Sequence, residues 1–286
     1  MEIISDITGM QNRCLATRAS GQTIAFVPTM GFLHDGHLSL LREGRKRGDL
    51  LVLSIFVNPT QFGQGEDLDH YPRDFERDES LARAAGVDLI FYPNAEAIYP
   101  AGYATYVTVE GPLTTTLEGA CRPTHFRGVT TVVTKLFNVV QPHVALFGRK
   151  DHQQLAVIRR MAADLNLPVE IVGMPIVREA DGLAMSSRNV YLSPAERQQA
   201  LVLSQALARG RQLVADGVRE AAAVLAVLHA MIDAQQDARI DYLLICHQAT
   251  LREQERIDAN SVLLLAVSIG KTRLIDNGSL LNPHDF

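Results

Sequence analysis

Two imidazoles three residues apart, His34 and His37, sit in the stretch Pro28-Thr29-Met30-Gly31-Phe32-Leu33-His34-Asp35-Gly36-His37. An apolar run, Ile24-Ala25-Phe26-Val27, precedes them, and Leu38, Leu40 and Leu41 open a helical pattern after them. A strand that turns into a helix here leaves unpaired N–H groups and a partial positive charge at the helix start, where an anion is stabilised. Gly31 and Gly36 let the backbone come close to a ligand. Imidazole donors at such a turn suit a phosphate whose oxygens gain charge as a P–O bond breaks. The same pair could hold zinc, but zinc needs a third protein ligand, and neither a cysteine nor an HExxH pattern lies nearby. Helix capping is the plain alternative and needs no ligand.

Two further clusters carry similar chemistry. In Gly148-Arg149-Lys150-Asp151, the lysine precedes a helical face made by Leu155, Ile158, Met161, Ala162 and Leu165. Cations are disfavoured at a helix start, so a bound anion would offset the placement of Lys150; an extended lysine in solvent is the plain reading. Asp151 and Gln154 have the spacing of a cap with its reciprocal partner, and Gln154 could equally hold a polar substrate. Gln61 follows Asn58-Pro59, where an amide can donate to a carboxylate and accept from a hydroxyl. Ala184-Met185-Ser186-Ser187-Arg188-Asn189 offers two hydroxyls and a guanidinium to a polyphosphate, or reads as an ordinary polar linker. Three separate phosphate-friendly clusters together favour an enzyme that uses a nucleotide.

The elements that would position these groups follow from periodicity. Strands are predicted at 23–27, 50–57, 87–92, 143–147 and 169–172, and helices near 37–47, 74–86, 128–140 and 151–166. Short apolar strands alternating with amphipathic helices predict a parallel sheet covered on both faces, with ligands beyond the carboxyl ends of the strands. A loop-rich junction is expected over 173–192. Helical sequence follows from 194 to about 236, interrupted at Asp216-Gly217, and strands are expected at 240–245, 262–267 and 272–275. The fold class is α/β, with a second, smaller α+β domain beginning near 177.

Composition sets limits. At 286 residues, 47% hydrophobic and 21% charged, the chain can bury a substantial core. A net charge of −5 argues against nonspecific nucleic-acid binding, and the basic run Arg42–Arg47 reads as a solvated helix end. Cys14, Cys121 and Cys246 are few and far apart, which suits a reducing cytoplasm. The longest apolar run, Ala221 to Leu228, is too short for the ~20 residues a membrane span needs.

In order along the chain, Pro28 to Leu40, Phe56-Val57-Asn58-Pro59-Thr60-Gln61-Phe62, Tyr71-Pro72-Arg73-Asp74, His125-Phe126-Arg127-Gly128-Val129, Gly148 to Gln154, Val177 to Asn189 and Arg273-Leu274-Ile275-Asp276-Asn277 form a distinctive set. With these pieces the chain resembles the pantoate–β-alanine ligase (pantothenate synthetase) family over nearly its whole length. The resemblance implies a Rossmann-like nucleotidyltransferase domain at 1–176, a smaller lid-like domain at 177–286, and a homodimer. It implies two steps: pantoate attacks the α-phosphate of ATP to give bound pantoyl adenylate and diphosphate, then β-alanine displaces AMP. Mg2+ normally accompanies the ATP.

By the same resemblance, Met30, Gly31, Phe32, Leu33, His34, Asp35, Gly36 and His37 hold ATP. Gly148, Arg149, Lys150 and Asp151 contact it, and Val177, Met185, Ser186, Ser187 and Arg188 complete the nucleotide site. His37, His34 and Lys150 are the implied catalytic groups; Gln61 and Gln154 grip pantoate. Asp67, Asp69, Asp74 and Asp78 all stay open as magnesium ligands. Phe32 stands where the family has a small residue, Asp35 for Glu, Thr124 for Gly, Arg149 for Glu, and His152 for an aromatic; Cys246-His247 replaces an acidic position.

Overall fold

Runs such as Ile24–Val27 and Leu50–Leu53 have no polar face to turn toward water, so they are stable only inside a sheet covered on both sides. A computed structural model, which describes residues 1–282, has that arrangement. The chain divides into two units, Met1–Gly148 with Gln154–Met174, and Arg149–Gln153 with the chain from Pro175 onward.

The first unit runs β1 (Glu2–Ile4), α1 (Ile7–Ala19), β2 (Ile24–Thr29), α2 (Asp35–Arg47), β3 (Leu50–Ile55), α3 (Phe75–Ala84) and β4 (Leu89–Phe91). Three short helices follow: α4 (Ala95–Ile98), α5 (Pro112–Thr115) and α6 (Glu118–Cys121). Then come α7 (His125–Val140), β5 (Val144–Gly148), α8 (His152–Asp164), whose first two residues group with the second unit, and β6 (Glu170–Met174). The sheet order is β1-β4-β3-β2-β5-β6, with every pair parallel. From β2 the chain winds outward through β3 and β4, then returns to place β5 and β6 on the other side. This is the doubly wound, Rossmann-like pattern, with its switch point between β2 and β5.

Period-2 alternation sorts even the fully apolar strands. Ile24 and Phe26 of β2 face one core with Met10 and Cys14 of α1, Val133 and Phe137 of α7, and Ile158 of α8. Ala25 and Val27 face the other with Leu40 and Leu41 of α2 and Ala82 of α3.

The second unit contains α9 (Pro194–Ala200), α10 (Val202–Ala215), α11 (Ala221–Asp233) and the antiparallel strands β7 (Ala238–His247), β8 (Ser261–Ile269) and β9 (Thr272–Ser279), in the order β7-β8-β9. Every residue of the central strand β8 is buried. Leu203 and Leu207 of α10 and Val224 and Leu228 of α11 share a core with Leu243, Leu263 and Leu265. The α/β sheet and the α+β unit agree with the expected fold class. The three free cysteines make no disulfide, and no described helix is long and apolar enough to cross a membrane.

Three local expectations change. β1 and α1 were not anticipated: a three-residue edge strand is too short for a periodic signal, and α1 buries only Met10, Cys14 and Thr17. The segment expected as loop over 173–192 contains a hairpin, in which Met185 N donates to Val177 O (3.0 Å) and Glu179 N to Leu183 O (2.8 Å). A 3₁₀ helix, Ser187–Tyr191, follows it. Lastly, α8 is entered through a 3₁₀ turn at Arg149–Asp151, so Asp151 lies inside that turn and Lys150 in its middle.

Candidate active site

Beyond β2 the chain has to reverse into α2 within a few residues. Gly31 (φ +83°) and Phe32 (φ +50°) make the reversal, both in the left-handed region. Gly31 suits it in two ways: glycine adopts that φ without strain, and a Cβ would lie 3.0 Å from both Asp78 Oδ2 and Ile55 Cγ2. Phe32 has no such freedom, and its backbone is held from outside. Asp78 of α3, 1% exposed, accepts from Phe32 N through Oδ2 and from Leu33 N through Oδ1, each at 2.7 Å. The neighbouring Arg77 Nη1 donates to Leu33 O at 2.8 Å. Asp78 is thereby a clamp on the turn, with both carboxylate oxygens committed to backbone N–H groups. That removes it from the open magnesium candidates, and Asp74 is the N-cap of α3, accepting from Arg77 N at 3.1 Å.

The turn delivers His34 to the N-cap of α2. His34 Nδ1 accepts from Gly36 N (3.2 Å), while His37 Nδ1 accepts from His34 N (3.3 Å), a capping box built from two imidazoles. The rings lie 4.0 Å apart between centroids, tilted by 34°. A ring nitrogen that accepts a hydrogen bond carries no proton, so each neutral imidazole bears its N–H on Nε2. Capping is therefore compatible with donation: the cap leaves the N–H of a neutral ring on Nε2. No group of three or more His, Cys, Asp or Glu able to hold a metal occurs among the described residues. The zinc reading gains nothing from the structure.

Gln61 closes the 3₁₀ turn Pro59–Gln61 after β3 and is 9% exposed. Its Oε1 accepts from Asn58 Nδ2 (3.1 Å), and its Nε2 donates to Met30 Sδ (3.1 Å), so two residues expected in the site do meet. Asn58 also donates to Gly128 O (3.2 Å) and accepts from Thr60 Oγ1 (2.9 Å) and Tyr99 OH (2.7 Å). Gly128 is a close-approach glycine: a Cβ there would run into the Thr60 carbonyl and Gln61 Cα. The Gln61 carbonyl accepts from His125 Nδ1 (2.9 Å) and Arg122 Nη2 (3.2 Å), and Arg122 pairs with Glu66 (2.5 Å). Since a carbonyl only accepts, His125 is protonated on Nδ1 and turns its bare Nε2 toward Arg122 Nη1, 3.4 Å away. Burial, reinforced by the Arg122 charge, lowers the His125 pKa to about 4.

The second unit carries the other expected residues except Gly148 and Gln154, which belong to the first. Lys150 Nζ lies 3.8 Å from Asp151 Oδ1. Val177 and Met185 face each other across the hairpin, Ser186 caps the 3₁₀ helix by accepting from Arg188 N (3.3 Å), and Ser187 is buried. Asn189 ties the hairpin to that helix, donating to Glu179 Oε1 (2.6 Å) and Ala184 O (3.0 Å). His152 turns its Nε2 to Gln248 O (2.8 Å) within the same unit. Gln154 is half-buried at the start of α8 in the first unit.

The sequence model of the pantoate-beta-alanine ligase family matches residues 2–279. The chain belongs to that family. Pantothenate synthetase of Syntrophotalea carbinolica is 64% identical over 281 residues, covering 98% of this chain and 99% of the relative. Among solved structures, pantothenate synthetase of Thermus thermophilus superposes with a TM-score of 0.93 at 48% identity, covering 98% of this chain and 100% of that one. The Francisella tularensis pantoate-beta-alanine ligase, solved with beta-gamma ATP and beta-alanine, gives a TM-score of 0.80 at 30% identity and covers 98% of each chain. The chain is thus an enzyme, a ligase of pantothenate biosynthesis.

In this ligase the positioning groups were less visible in the sequence than the groups they position. Asp78 and Arg122 carry no motif spacing relative to the turns they hold, and His125 stood in a distinctive piece of sequence with nothing in it to link the imidazole to Gln61. Asp78→Ala should lower unfolding free energy by roughly 3 kcal/mol, because two buried N–H groups lose their acceptor. An unchanged urea midpoint would contradict the clamp. The depressed His125 pKa gives a pH dependence with a definite sign. The unfolded imidazole takes its proton near pH 6.5, whereas the folded one resists it until about pH 4. Stability contributed by neutral His125 is present above pH 6.5 and falls as pH drops through that window, by about 2 kcal/mol between pH 7 and 5. Urea unfolding at both pH values should show a smaller drop in His125→Asn; an equal drop would count against this role.

Proposed function

We propose that the chain condenses (R)-pantoate with β-alanine, using ATP, to give pantothenate, AMP and diphosphate through an enzyme-bound pantoyl adenylate. The observation that carries this reading is the pair of imidazoles capping α2 at the end of β2, beside the sheet's switch point. Support comes from the Francisella tularensis relative, which was solved with beta-gamma ATP and beta-alanine.

Pantoate's carboxylate is ionised near neutral pH, so attack on the α-phosphate needs positioning and charge stabilisation more than a base. In this reading His37 and His34 donate from Nε2 to phosphate oxygens as negative charge grows there, and Lys150 adds a cation. Met30, Gly31, Phe32, Leu33, Asp35 and Gly36 bring backbone to the nucleotide. Gly148, Arg149 and Asp151, with Val177, Met185, Ser186, Ser187 and Arg188, complete its contacts. Gln61 and Gln154 hold pantoate, Gln61 already oriented by Asn58 and Met30. Residues 1–176 act as the nucleotide- and substrate-binding domain and 177–286 as a lid-like domain that protects the adenylate from water.

Of the magnesium candidates, Asp74 and Asp78 serve backbone N–H groups, Asp67 and Asp69 stay open, and no group of three or more potential ligands occurs among the described residues. No step is assigned to it here; as a companion of ATP it would rest on phosphate oxygens. A homodimer in the cytoplasm, without nucleic-acid or membrane partners, completes the reading.

Mass spectrometry of the enzyme given ATP and pantoate, with β-alanine withheld, should detect bound pantoyl adenylate; AMP formation independent of both acid and amine would defeat the proposal. His37→Ala and Lys150→Ala should each slow diphosphate release about 100-fold, since one well-placed donor is worth about 3 kcal/mol of barrier. Gln61→Ala should raise the KM for pantoate and leave that for ATP near its original value. Equal loss for both substrates would move Gln61 out of the pantoate site.

A further inference from the structure

The late stretch Arg273-Leu274-Ile275-Asp276-Asn277 has so far been given no task. Asp276 and Asn277 lie on β9, paired with Leu265 and Leu264 of β8, and each is 2% exposed. The Asn277 side chain gives its Nδ2 to two backbone carbonyls at once, Arg149 O at 3.0 Å and Lys150 O at 2.7 Å. Both belong to the 3₁₀ turn that carries Lys150. Asp276 Oδ1 accepts from Asn277 N at 2.8 Å, and the Asp276 carboxylate takes both arms of Arg178 at 2.7 and 2.9 Å. Arg178 sits on the hairpin between Val177 and Met185 and donates as well to Gly182 O at 3.1 Å. One dipeptide on β9 is therefore tied to the lysine turn on one side and to the Val177–Met185 hairpin on the other.

The amide at 277 is chosen for its donors. An NH2 group has two hydrogens, and here two carbonyl oxygens receive them. Its Oδ1 is buried without a hydrogen-bond partner among the described residues. Buried polar atoms are ordinarily paired, so an arrangement that forgoes the acceptor to keep both donors is set by what the donors hold. A leucine at this place could not do the same, since it would leave two converging carbonyls without a donor.

We propose that Asn277 is a positioning residue for adenylate formation, fixing the carbonyls of Arg149 and Lys150 so that the Lys150 side chain leaves the turn in one direction. Asp276, held by Arg178, fixes Asn277 in turn. This rests on the reading that Lys150 meets the phosphates of ATP, and the test separates the two. Asn277→Asp keeps the shape but sets a carboxylate oxygen against two carbonyls. Asn277→Ser retains one donor and serves where the aspartate variant does not fold.

Single-turnover diphosphate release is measured with ATP and pantoate for the parent, Lys150→Ala, each Asn277 variant, and each double variant, with thermal melts as the folding control. The Asn277 variant should slow the parent's turnover at least tenfold with the KM for pantoate unchanged. In the Lys150→Ala background it should slow turnover less than twofold, because the group it positions is gone. An equal factor in both backgrounds, or a folded Asn277 variant with the parent's rate, overturns the role of Asn277 while leaving that of Lys150 intact. A Lys150→Ala enzyme with the parent's rate overturns the reading of Lys150 itself, and this inference with it.

Discussion

Two backbone N–H groups, those of Phe32 and Leu33, point into the protein where no strand or helix can pair them, and one carboxylate satisfies both. The rest of the first unit's site depends on that contact. A left-handed φ at a non-glycine residue such as Phe32 costs about 1–2 kcal/mol. The two hydrogen bonds to Asp78 work against that strain, although burial still raises the carboxyl's pKa above its ordinary value. With the turn held, His34 arrives at the start of α2 in the extended conformation an N-cap needs, and His37 falls one turn later on the same face. Had the reversal been looser, the two rings would not lie 4.0 Å apart.

The capping geometry also decides what the imidazoles can be. Each Nδ1 is an acceptor for a backbone N–H, so with the cap in place a neutral ring carries its hydrogen on Nε2. A neutral donor suits stabilisation of charge that grows only as the reaction proceeds, because it strengthens with that charge without first binding the ground state as an ion pair. His125 uses the opposite tautomer for an unrelated purpose. Its Nδ1–H holds the Gln61 carbonyl, and burial keeps the ring neutral. Three histidines, then, are assigned by the partners of their nitrogens and not by their distance from one another in the chain.

Much of this was legible beforehand where the pattern was local. The strands at 24–29, 50–55 and 144–148 are continuous apolar runs between turn residues, and α2 and α7 carry clear amphipathic faces. The histidine turn could be read because strand, glycine, imidazole and helix follow one another within 14 residues of sequence, from Ile24 to His37. What escaped was long-range. Asp78 reads as one more acid in the first turn of an acidic helix, and it stood among magnesium candidates until its oxygens were found facing residues 45 and 46 positions away. Asn277 lies 127 and 128 positions from the carbonyls it holds. No window of periodicity spans such a distance, and a buried asparagine on a strand carries no signal of which backbone it serves. The hairpin at 177–185 was hidden for a different reason: its glycine and charges look like linker, although Arg178 and Asn189 bind it down.

A common rule joins these cases. The buried polar side chains Asp78, Asn58, His125, Asp276 and Asn277 spend their hydrogen bonds on backbone or on neighbouring side chains. The groups suited to meet a substrate, His34, His37, Lys150, Gln154 and Arg188, are only half-buried. That division follows from desolvation. A group buried without partners would lose more than it contributes, so these buried side chains are employed in holding something else, even where, as at Asn277 Oδ1, one atom goes unpaired. A group that must exchange water for a phosphate has to stay near solvent, where it is mobile unless its backbone is fixed from below. Gln61 stands at the border between the two sets, buried yet held at both ends of its amide, which is what a residue must be if it is to present one geometry to a small polar acid.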